Sequence, residues 1–352
     1  MKKLFLIMAS TLASFLLPAV AWAQLPPTPD APPVSNAPAQ PESDTPVATL
    51  RLNTNLVDLY FTVKSKDGQL VPHLNRDDCQ VAENKDPQKW KNFEAQTDLP
   101  LTLGILLDTS GSQQRVLPLE QDAGSQFLEQ ILRKKDQAFV ASFDVNVDLL
   151  QDFTNSAHML THALQKAEIN TAGGNGAAGI PGAGGGTVPV YGDPKGTLLY
   201  DAIYMTAHQK FEEQTGRKAM IILTDGEDVG SDHKIGEAID AAIKSNAIIY
   251  VILIADVQGY GNFGYSGYSA AKRLSDESGG RLINVGNNGK KLAAAFQQIS
   301  DELRTQYIGT YTPTNTKQDG TFRKISITCS GDGTKVQVRK GYFAPTAESA
   351  NN

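Results

Sequence analysis

The spacing of hydrophobic positions changes twice along the chain. From Ala48 to Val63 apolar and polar residues alternate, which predicts one or two half-buried strands, and a further strand is expected at 79–82. From Leu101 onward short apolar runs alternate with amphipathic stretches of helical spacing. Beyond Tyr307 the chain returns to strand-like segments separated by Asp-Gly turns.

The middle of the chain predicts an α/β fold. Its apolar runs are short and continuous, which is typical of buried parallel strands. Strands are expected at 101–107, 138–143, 147–150, 219–223, 247–254 and 282–285. Helices are expected at 117–132, 156–167 with Ser156 as the N-cap, 198–211, 235–243, 270–276 and 291–304. This alternation indicates a Rossmann-like, mostly parallel sheet with helices on both faces.

The two flanks of this block predict strands only. After the block, strands are expected at 307–311, 322–329 and 335–343. Neither flank alone buries a good core, so the two are expected to pair. The α/β block would then be inserted in a small split all-β domain.

The N-terminal region predicts export. Lys2 and Lys3 precede an apolar stretch at 4–20, and Ala21-Trp22-Ala23 forms a cleavage signature. The stretch is too short to span a bilayer comfortably, although an uncleaved anchor is the alternative. No other run reaches 18 apolar residues, so no membrane span is expected after cleavage. The mature chain is predicted to be periplasmic or extracellular.

Proline distribution completes the division into segments. Eight of the 18 prolines lie between Pro26 and Pro46, which predicts an extended, disordered linker. The predicted segments are a signal peptide at 1–23, the linker at 24–47, an N-terminal β segment at 48–97, the α/β block at 98–306, a C-terminal β segment at 307–345 that pairs with 48–97, and a disordered tail at 346–352.

Charge and cysteine content exclude several classes. A formal net charge of −6 argues against a nucleic-acid-binding module. Two cysteines exclude a cysteine-rich zinc fold, and the five histidines form no His-Glu-x-x-His pair. Cys79 and Cys329 lie one in each β flank, so an exported protein is expected to pair them, with two buried free thiols as the alternative.

Small oxygen-bearing residues follow three of the predicted elements. Asp108-Thr109-Ser110-Gly111-Ser112 comes directly after a buried strand, Thr197 opens a helix, and Asp225 ends another apolar strand. Loops at the carboxyl ends of parallel strands are where ligands bind. Hydroxyl and carboxylate donors without His or Cys suit Mg²⁺, or Mn²⁺ and Ca²⁺. The alternative is that these residues serve only as turn and cap residues.

This set resembles the metal-ion-dependent adhesion site of von Willebrand factor type A (VWA) domains, which reads D-x-S-x-S, then Thr, then Asp. The resemblance covers roughly residues 98–306. It implies that five residues hold the cation directly or through water, and that an Asp or Glu of a protein partner completes its coordination. These residues are Asp108, Ser110, Ser112, Thr197 and Asp225.

The C-terminal flank extends the resemblance. It is similar to exported bacterial VWA-related proteins whose tail reads "Y-x-P … G-x-x-R-K-I … R-x-G-Y". The matching segments here are Tyr311-Thr312-Pro313, Gly320-Thr321-Phe322-Arg323-Lys324-Ile325 and Arg339-Lys340-Gly341-Tyr342. This match implies a family and no specific biological role.

The leading functional hypothesis is an exported, non-enzymatic, metal-dependent protein-binding module for adhesion or scaffolding. No nucleophile with an adjacent His is visible, which favours binding over catalysis. One alternative is a structural envelope protein with a vestigial metal site. Another is a metal-dependent hydrolase, for which Glu227 or Asp228 would be the general base.

Three further features are open at this level. The glycine-rich loop 173–186 is either a disordered insertion or a mobile cover for the metal site. The G-x-G-x-x-G match at 259–264 is interpreted as a flexible Gly/Tyr loop, because no helix begins on its glycines. Asp201 is expected to interact with a helix N-terminus or to support the metal site.

Overall fold

The computed structural model describes residues 56–95, 99–170, 196–255 and 266–346. The predicted signal peptide, the proline-rich linker and residues 347–352 of the predicted tail lie outside the described residues. No helix in the described ranges has both the length and the apolar character needed to cross a membrane.

The elements follow the predicted order. The strands are β1 (Val57–Lys64), β2 (Cys79–Glu83), β3 (Asp86–Gln88), β4 (Trp90–Ala95), β5 (Leu101–Asp108), β6 (Gln137–Phe143), β7 (Val147–Thr154), β8 (Arg217–Thr224), β9 (Ala247–Leu253), β10 (Arg281–Asn284), β11 (Tyr307–Tyr311), β12 (Phe322–Cys329), β13 (Lys335–Gln337) and β14 (Gly341–Phe343). The helices are α1 (Leu117–Ile131), α2 (Ala157–Gln165), α3 (Leu199–Met205), α4 (Ile235–Lys244), α5 (Gly267–Ser278) and α6 (Gly289–Arg304).

The central sheet confirms the predicted α/β class. Its strand order is β10-β9-β8-β5-β6-β7, and every pair is parallel except the edge pair of β6 with β7. Strands β5, β8 and β9 are buried along their whole length, which explains their continuous apolar runs. One face packs against α1, α2 and α6 and the other against α3, α4 and α5, so each face has its own hydrophobic core.

Side-chain capping fixes two helix starts. Ser156 Oγ accepts a hydrogen bond from the Met159 amide at 3.4 Å, as its position before α2 predicted. Asn288 caps α6 in the same way, accepting from the Lys291 amide at 3.1 Å. The helix predicted at 198–211 is present, but after Met205 it widens into a π-helical segment, Thr206–Phe211.

Two further four-stranded sheets are built from both flanks of the chain. Their orders are β13-β1-β11-β4 and β14-β12-β2-β3. Each sheet contains strands from before and after the α/β block, because β1 pairs with β11 and β2 with β12 in antiparallel register. The rings of Phe61, Trp90, Phe93 and Tyr307, which belong to strands of the first sheet, pack against one another in stacked, tilted and edge-on pairs. The flanks therefore share a core that neither could bury alone.

The disulfide prediction is confirmed. Cys79 and Cys329 face each other at the end of the β2–β12 ladder and are bonded. The bond closes a sequence separation of 250 residues. It joins the two flanks within one sheet.

The single strand predicted at 335–343 is wrong. The chain forms β13 in one sheet, leaves the ladder, and then forms β14 in the other. Between the two strands the Arg339 guanidinium donates to the carbonyl of Asp58 in β1 at 3.0 Å and to the side chain of Asn246 in the α/β block. Gly341 lies where a Cβ would be 2.2 Å from the carbonyl oxygen of Arg323, so β14 can approach β12 only with glycine there.

The tail residues that carry the family resemblance form a buried polar cluster. Glu83 accepts hydrogen bonds from the hydroxyls of Tyr311 and Tyr342 at 2.9 and 2.8 Å, and Arg323 donates to it at 3.3 Å. Burial and the Glu83 carboxylate raise the pKa of Tyr342 to about 12, although the Arg323 charge opposes the shift. These tail residues therefore hold the two flanks together and lie within the β sheets. Their role is structural.

Candidate metal centre

Asp108 is the innermost residue of the predicted site. It ends β5, between parallel strands on both sides, and is fully buried. Its Oδ1 accepts from the Ser110 amide at 3.0 Å, and its Oδ2 accepts from the Thr224 hydroxyl at 2.6 Å. The carboxylate is therefore held in one orientation by the start of its own loop and by the end of β8.

Ser110 and Ser112 follow, with Ser110 as the N-cap of a single turn of 3-10 helix, Gly111–Gln113, and Ser112 within it. Their hydroxyl oxygens lie 3.0 Å apart. Two adjacent ligands of an octahedral Mg²⁺ with bonds of about 2.1 Å are separated by about 3.0 Å. The spacing of the two hydroxyls matches that of neighbouring ligands on one cation.

Thr197 is placed by a short backbone bridge. Its amide donates to the carbonyl of Val229 at 3.1 Å, and the Val229 amide donates back to Thr197 at 2.9 Å. The next amide, that of Leu198, donates to the carbonyl of Asp144 at 2.8 Å. The start of α3 is thus tied both to the loop after β8 and to the end of β6, at the same edge of the sheet as Asp108.

Asp225 follows β8 directly and is 2% exposed. Its Oδ1 accepts from the Glu227 amide at 3.1 Å. Burial, together with repulsion from Asp225, raises the pKa of Asp108 to about 7, although hydrogen bonds from Ser110 and Thr224 oppose the shift. The Asp225 carboxylate is therefore close enough to Asp108 to disfavour its ionisation.

Glu120 belongs to the same electrostatic neighbourhood and was missed by the sequence analysis. It lies in the first turn of α1 and is fully buried. Burial first, and then Asp108 and Asp225, raise its pKa well above the usual range. The signal in the sequence is an acidic residue within the apolar stripe of an amphipathic helix.

The residues present fit a hard divalent cation. Two carboxylates lie close together in a buried place, where burial and the Asp225 charge are the largest influences on the Asp108 pKa and both raise it. Beside them, the hydroxyl oxygens of Ser110 and Ser112 have the separation of adjacent ligands on one cation, and every proposed ligand atom is an oxygen. The described residues hold no cluster of three or more His, Cys, Asp or Glu placed to bind a metal, so a cation here would depend on the serine and threonine hydroxyls.

The acidic residues after Asp225 have structural hydrogen bonds. Glu227 accepts from the amides of Ser266 and Gly267 at 2.7 and 2.8 Å, which caps the start of α5. Asp228 accepts from the Tyr200 amide at 3.0 Å and from the Ser231 hydroxyl at 2.6 Å. The two residues considered as general bases for a hydrolase are thus engaged in capping and loop closure.

Asp201 also braces this loop. It accepts from the amides of Asp232 and His233 at 3.0 and 2.9 Å, and it pairs with His233 Nδ1 at 2.7 Å. Although burial raises the Asp201 pKa, these hydrogen bonds outweigh burial and lower it. Its partners are the backbone and ring of the loop that leads to α4.

A second unpredicted residue fixes the D-x-S-x-S loop from the side. Asp144, after β6, accepts from the Thr109 hydroxyl at 2.7 Å and from the Asn146 amide at 3.1 Å. Asn170 donates to it at 2.9 Å. The loops proposed as a mobile cover (173–186) and as a Gly/Tyr loop (259–264) lie outside the described residues.

We expect Gly226→Ala to lower the free energy of unfolding by about 2 kcal/mol, because the residue has a positive φ and no room for a side chain. Its φ is 82°, and a Cβ would lie 2.5 Å from the carbonyl oxygen of Gly267. Urea unfolding measures the loss. Gly236→Ala is the matched control, because its Cβ meets open space on a helix. Equal stabilities of the two variants would contradict the prediction.

Comparisons with known proteins find likeness in structure only. No protein-family model matches the chain, and no curated protein matches it. The conserved hypothetical protein BatB from Bacteroides thetaiotaomicron is 18% identical, over 58% of this chain and 99% of that one, with a TM-score of 0.42. A von Willebrand factor type A protein from Catenulispora acidiphila is 11% identical, over 86% and 76% of the two chains, with a TM-score of 0.45.

A third solved structure is proximal thread matrix protein 1 from the mussel byssus, described with a zinc-occupied MIDAS motif. It is 13% identical, over 62% of this chain and 48% of that one, with a TM-score of 0.45. Likenesses at these TM-scores support no conclusion about fold or function.

The fold itself is assigned from topology and loop position. The sheet has one antiparallel edge strand next to β6, and β5 lies beside β8 at its centre. The D-x-S-x-S motif follows β5, the threonine precedes α3, and the second aspartate follows β8. The chain therefore has a VWA-like fold.

Proposed function

We propose that the chain is an exported, non-enzymatic adhesion or scaffold module whose contact with a protein partner depends on a divalent cation. The cation, Mg²⁺ or one of Mn²⁺ and Ca²⁺, would be held by Asp108, Ser110, Ser112, Thr197 and Asp225. The observation that carries the proposal is the pair of buried carboxylates, Asp108 and Asp225, beside two hydroxyls 3.0 Å apart at one edge of the sheet.

The donor chemistry explains why the partner would offer a carboxylate. Hydroxyl ligands carry no charge, so a cation held by three hydroxyls and two carboxylates remains attractive to a further anion. The carboxylate of an Asp or Glu on a partner is the protein group that supplies it. In this role the chain's own residues bind and orient the cation, and its backbone loops keep the oxygens in place.

Support for export comes from the disulfide. A cystine that joins two ends of a chain is typical of oxidising compartments. The predicted signal peptide at 1–23 agrees with such a location, and the proline-rich linker at 24–47 would hold the folded part away from its N-terminal end.

Calorimetric titration of Mg²⁺, Mn²⁺ and Ca²⁺ tests the metal claim. The unmodified protein should bind at least one of them, and Asp108→Ala should weaken that binding at least tenfold, because one of the two buried carboxylates is lost. Asp148→Ala is the control, since Asp148 is an exposed acid on β7. Equal heats for Asp108→Ala and the unmodified protein, or no heat for either, would refute cation binding at this site.

A capture experiment then tests the partner claim. Immobilised protein should retain a partner from an envelope extract in the presence of the cation, release it in EDTA, and regain it when the cation is restored. Asp108→Ala should retain nothing under any of these conditions. Retention that survives EDTA would favour the structural envelope role, in which the cation site has no part.

A further inference from the structure

Glu120 is a buried acid for which the fold supplies no partner. It occupies the first turn of α1, which begins five residues after Ser112, and none of its surface is exposed. In the part of the chain that the structure describes, neither of its carboxylate oxygens has a hydrogen-bond partner. A carboxylate buried in this way costs several kcal/mol unless a proton or a cation neutralises it.

A second unpartnered acceptor lies beside the proposed ligands. Gln113 is 1% exposed, and its Nε2 donates to the Ser112 hydroxyl at 3.2 Å. Its Oε1 is buried and makes no hydrogen bond among the described residues. Buried polar atoms nearly always have a hydrogen-bond partner in folded proteins. Acceptor oxygens that lack one, next to the oxygens proposed to bind the metal, therefore indicate a bound ligand or water at this place.

The electrostatics place Glu120 near the proposed ligands. The charges that act on it are those of Asp108 and Asp225, and both oppose its ionisation. Its position in a first helical turn is favourable by only about 1 kcal/mol, which is less than the cost of burying the carboxylate. An apolar residue at this point of the α1 stripe would stabilise the fold better, so the acid is best explained by the charge that it supplies.

We propose that Glu120 is a third carboxylate of the cation site, located behind the residues that bind the cation and strengthening its binding by charge and through water shared with Gln113. The inference rests on the proposed cation site and deepens it. A dication facing Asp108 and Asp225 is formally neutralised, and Glu120 adds its charge to the field that holds the cation without being one of its ligands. Glu120 is thus a positioning residue that raises cation affinity at the expense of stability without the cation.

Because Glu120 raises cation affinity and lowers stability without the cation, replacing it should change these two measured quantities in opposite directions. Glu120→Gln keeps the shape of the side chain and removes its charge, and Glu120→Leu removes its polarity as well. Both should weaken Mg²⁺ or Mn²⁺ binding at least tenfold in calorimetric titration. In EDTA both should unfold at a higher temperature than the unmodified protein, by about 3 °C or more, because a buried unpaired acid has been removed.

The matched control is Asp122→Asn on the same helix, because Asp122 is exposed. It should leave both the affinity and the unfolding temperature unchanged. If Glu120 only supported the fold, its variants would melt earlier in EDTA and bind the cation as tightly as before, and that result would overturn the inference alone. If the unmodified protein bound no cation, both the proposed function and this inference would fail. If Glu120→Gln did not fold, Glu120→Leu would decide.

Discussion

In EDTA the protein is expected to be more stable at pH 5.5 than at pH 7.5. Burial and the Asp225 carboxylate raise the pKa of Asp108 to about 7, whereas an Asp in an unfolded chain titrates at about 3.9. Between these values the folded protein holds a proton that the unfolded chain has released. The contribution of Asp108 to the free energy of unfolding should therefore fall by about 2 kcal/mol from pH 5.5 to pH 7, and level off once Asp108 is ionised in both states.

Other titrating groups do not reverse this trend. The pKa of Glu120 is raised in the same direction, so its contribution has the same sign. Hydrogen bonds from Lys210 and the Phe153 amide lower the pKa of Asp152. The stability that a lowered pKa supplies is complete above the unfolded value of about 3.9 and is lost only at lower pH. Burial also raises the pKa values of Asp228 and Asp240, so their contributions have the same sign.

Urea unfolding across this window, with EDTA or with saturating Mg²⁺, measures the effect. Mg²⁺ at 100 times its dissociation constant should add about 2.7 kcal/mol. The gain at one fixed Mg²⁺ concentration should be larger at pH 7.5 than at pH 5.5, because protons compete for Asp108. Asp108→Asn should reduce the slope in EDTA without removing it, since Glu120 remains. Stability that rises from pH 5.5 to 7.5 in EDTA would contradict the prediction.

The position of the proposed site could be predicted because strand ends are visible in the sequence. A continuous apolar run that ends at Asp108, and another that ends just before Asp225, place both carboxylates at the carboxyl edge of one parallel sheet. The structure brings the loops of these residues, of Ser112 and of Thr197 to that edge. What the pattern could not supply is the electrostatic balance, because the repulsion between Asp108 and Asp225 depends on their separation in space.

Glu120 and Glu83 were missed for a common reason. Each is an acid at a position where periodicity predicts an apolar contact, one in the stripe of α1 and one at the end of β2. A hydrophobic pattern tolerates a single exception without indicating whether it is exposed or buried. In the structure Glu83 is paired with Arg323 and two tyrosine hydroxyls, while Glu120 has no partner among the described residues.

The wrong prediction of a single strand at 335–343 shows a different limit of hydrophobic patterns. Apolar residues recur through this stretch with the spacing of a strand, and they are present on both sides of the break at Arg339. Alternation shows which residues face a core, but it does not distinguish one sheet from the next. The break depends on contacts of Arg339 with Asp58 and Asn246, which are distant in sequence.

Loss of the disulfide is expected to be the most destabilising change in the flanking sheets. In the chain-entropy account, a bond that closes a loop of 250 residues stabilises the folded state by about 5 kcal/mol. The full amount applies when the whole chain unfolds. While the α/β block stays folded, Leu99 and Leu303 remain close because Arg217 donates to both of their carbonyls, so the bond then closes a shorter loop and contributes less.

Reduction of the disulfide should therefore make the flanking sheets unfold at a lower urea concentration than the α/β block. Trp90 lies in the flanking sheets, where its indole donates to the carbonyl of Cys79 at 2.8 Å, and the other tryptophan, Trp22, is in the predicted signal peptide. Trp90 fluorescence during urea unfolding thus reports the sheets that the disulfide ties. With a reductant its midpoint should move to lower urea, while cation binding, which reports the α/β block, should persist to higher urea.

The double variant Cys79→Ala and Cys329→Ala separates the bond from the reagent. It should unfold like the reduced protein and should be unaffected by added reductant. Two alkylatable thiols in the native, unreduced protein would show that the bond is absent and would remove the basis of the prediction. A single transition that shifts both probes equally would instead mean that the flanking sheets and the α/β block unfold together. In that case the full loop-closure value of about 5 kcal/mol would apply to the whole chain.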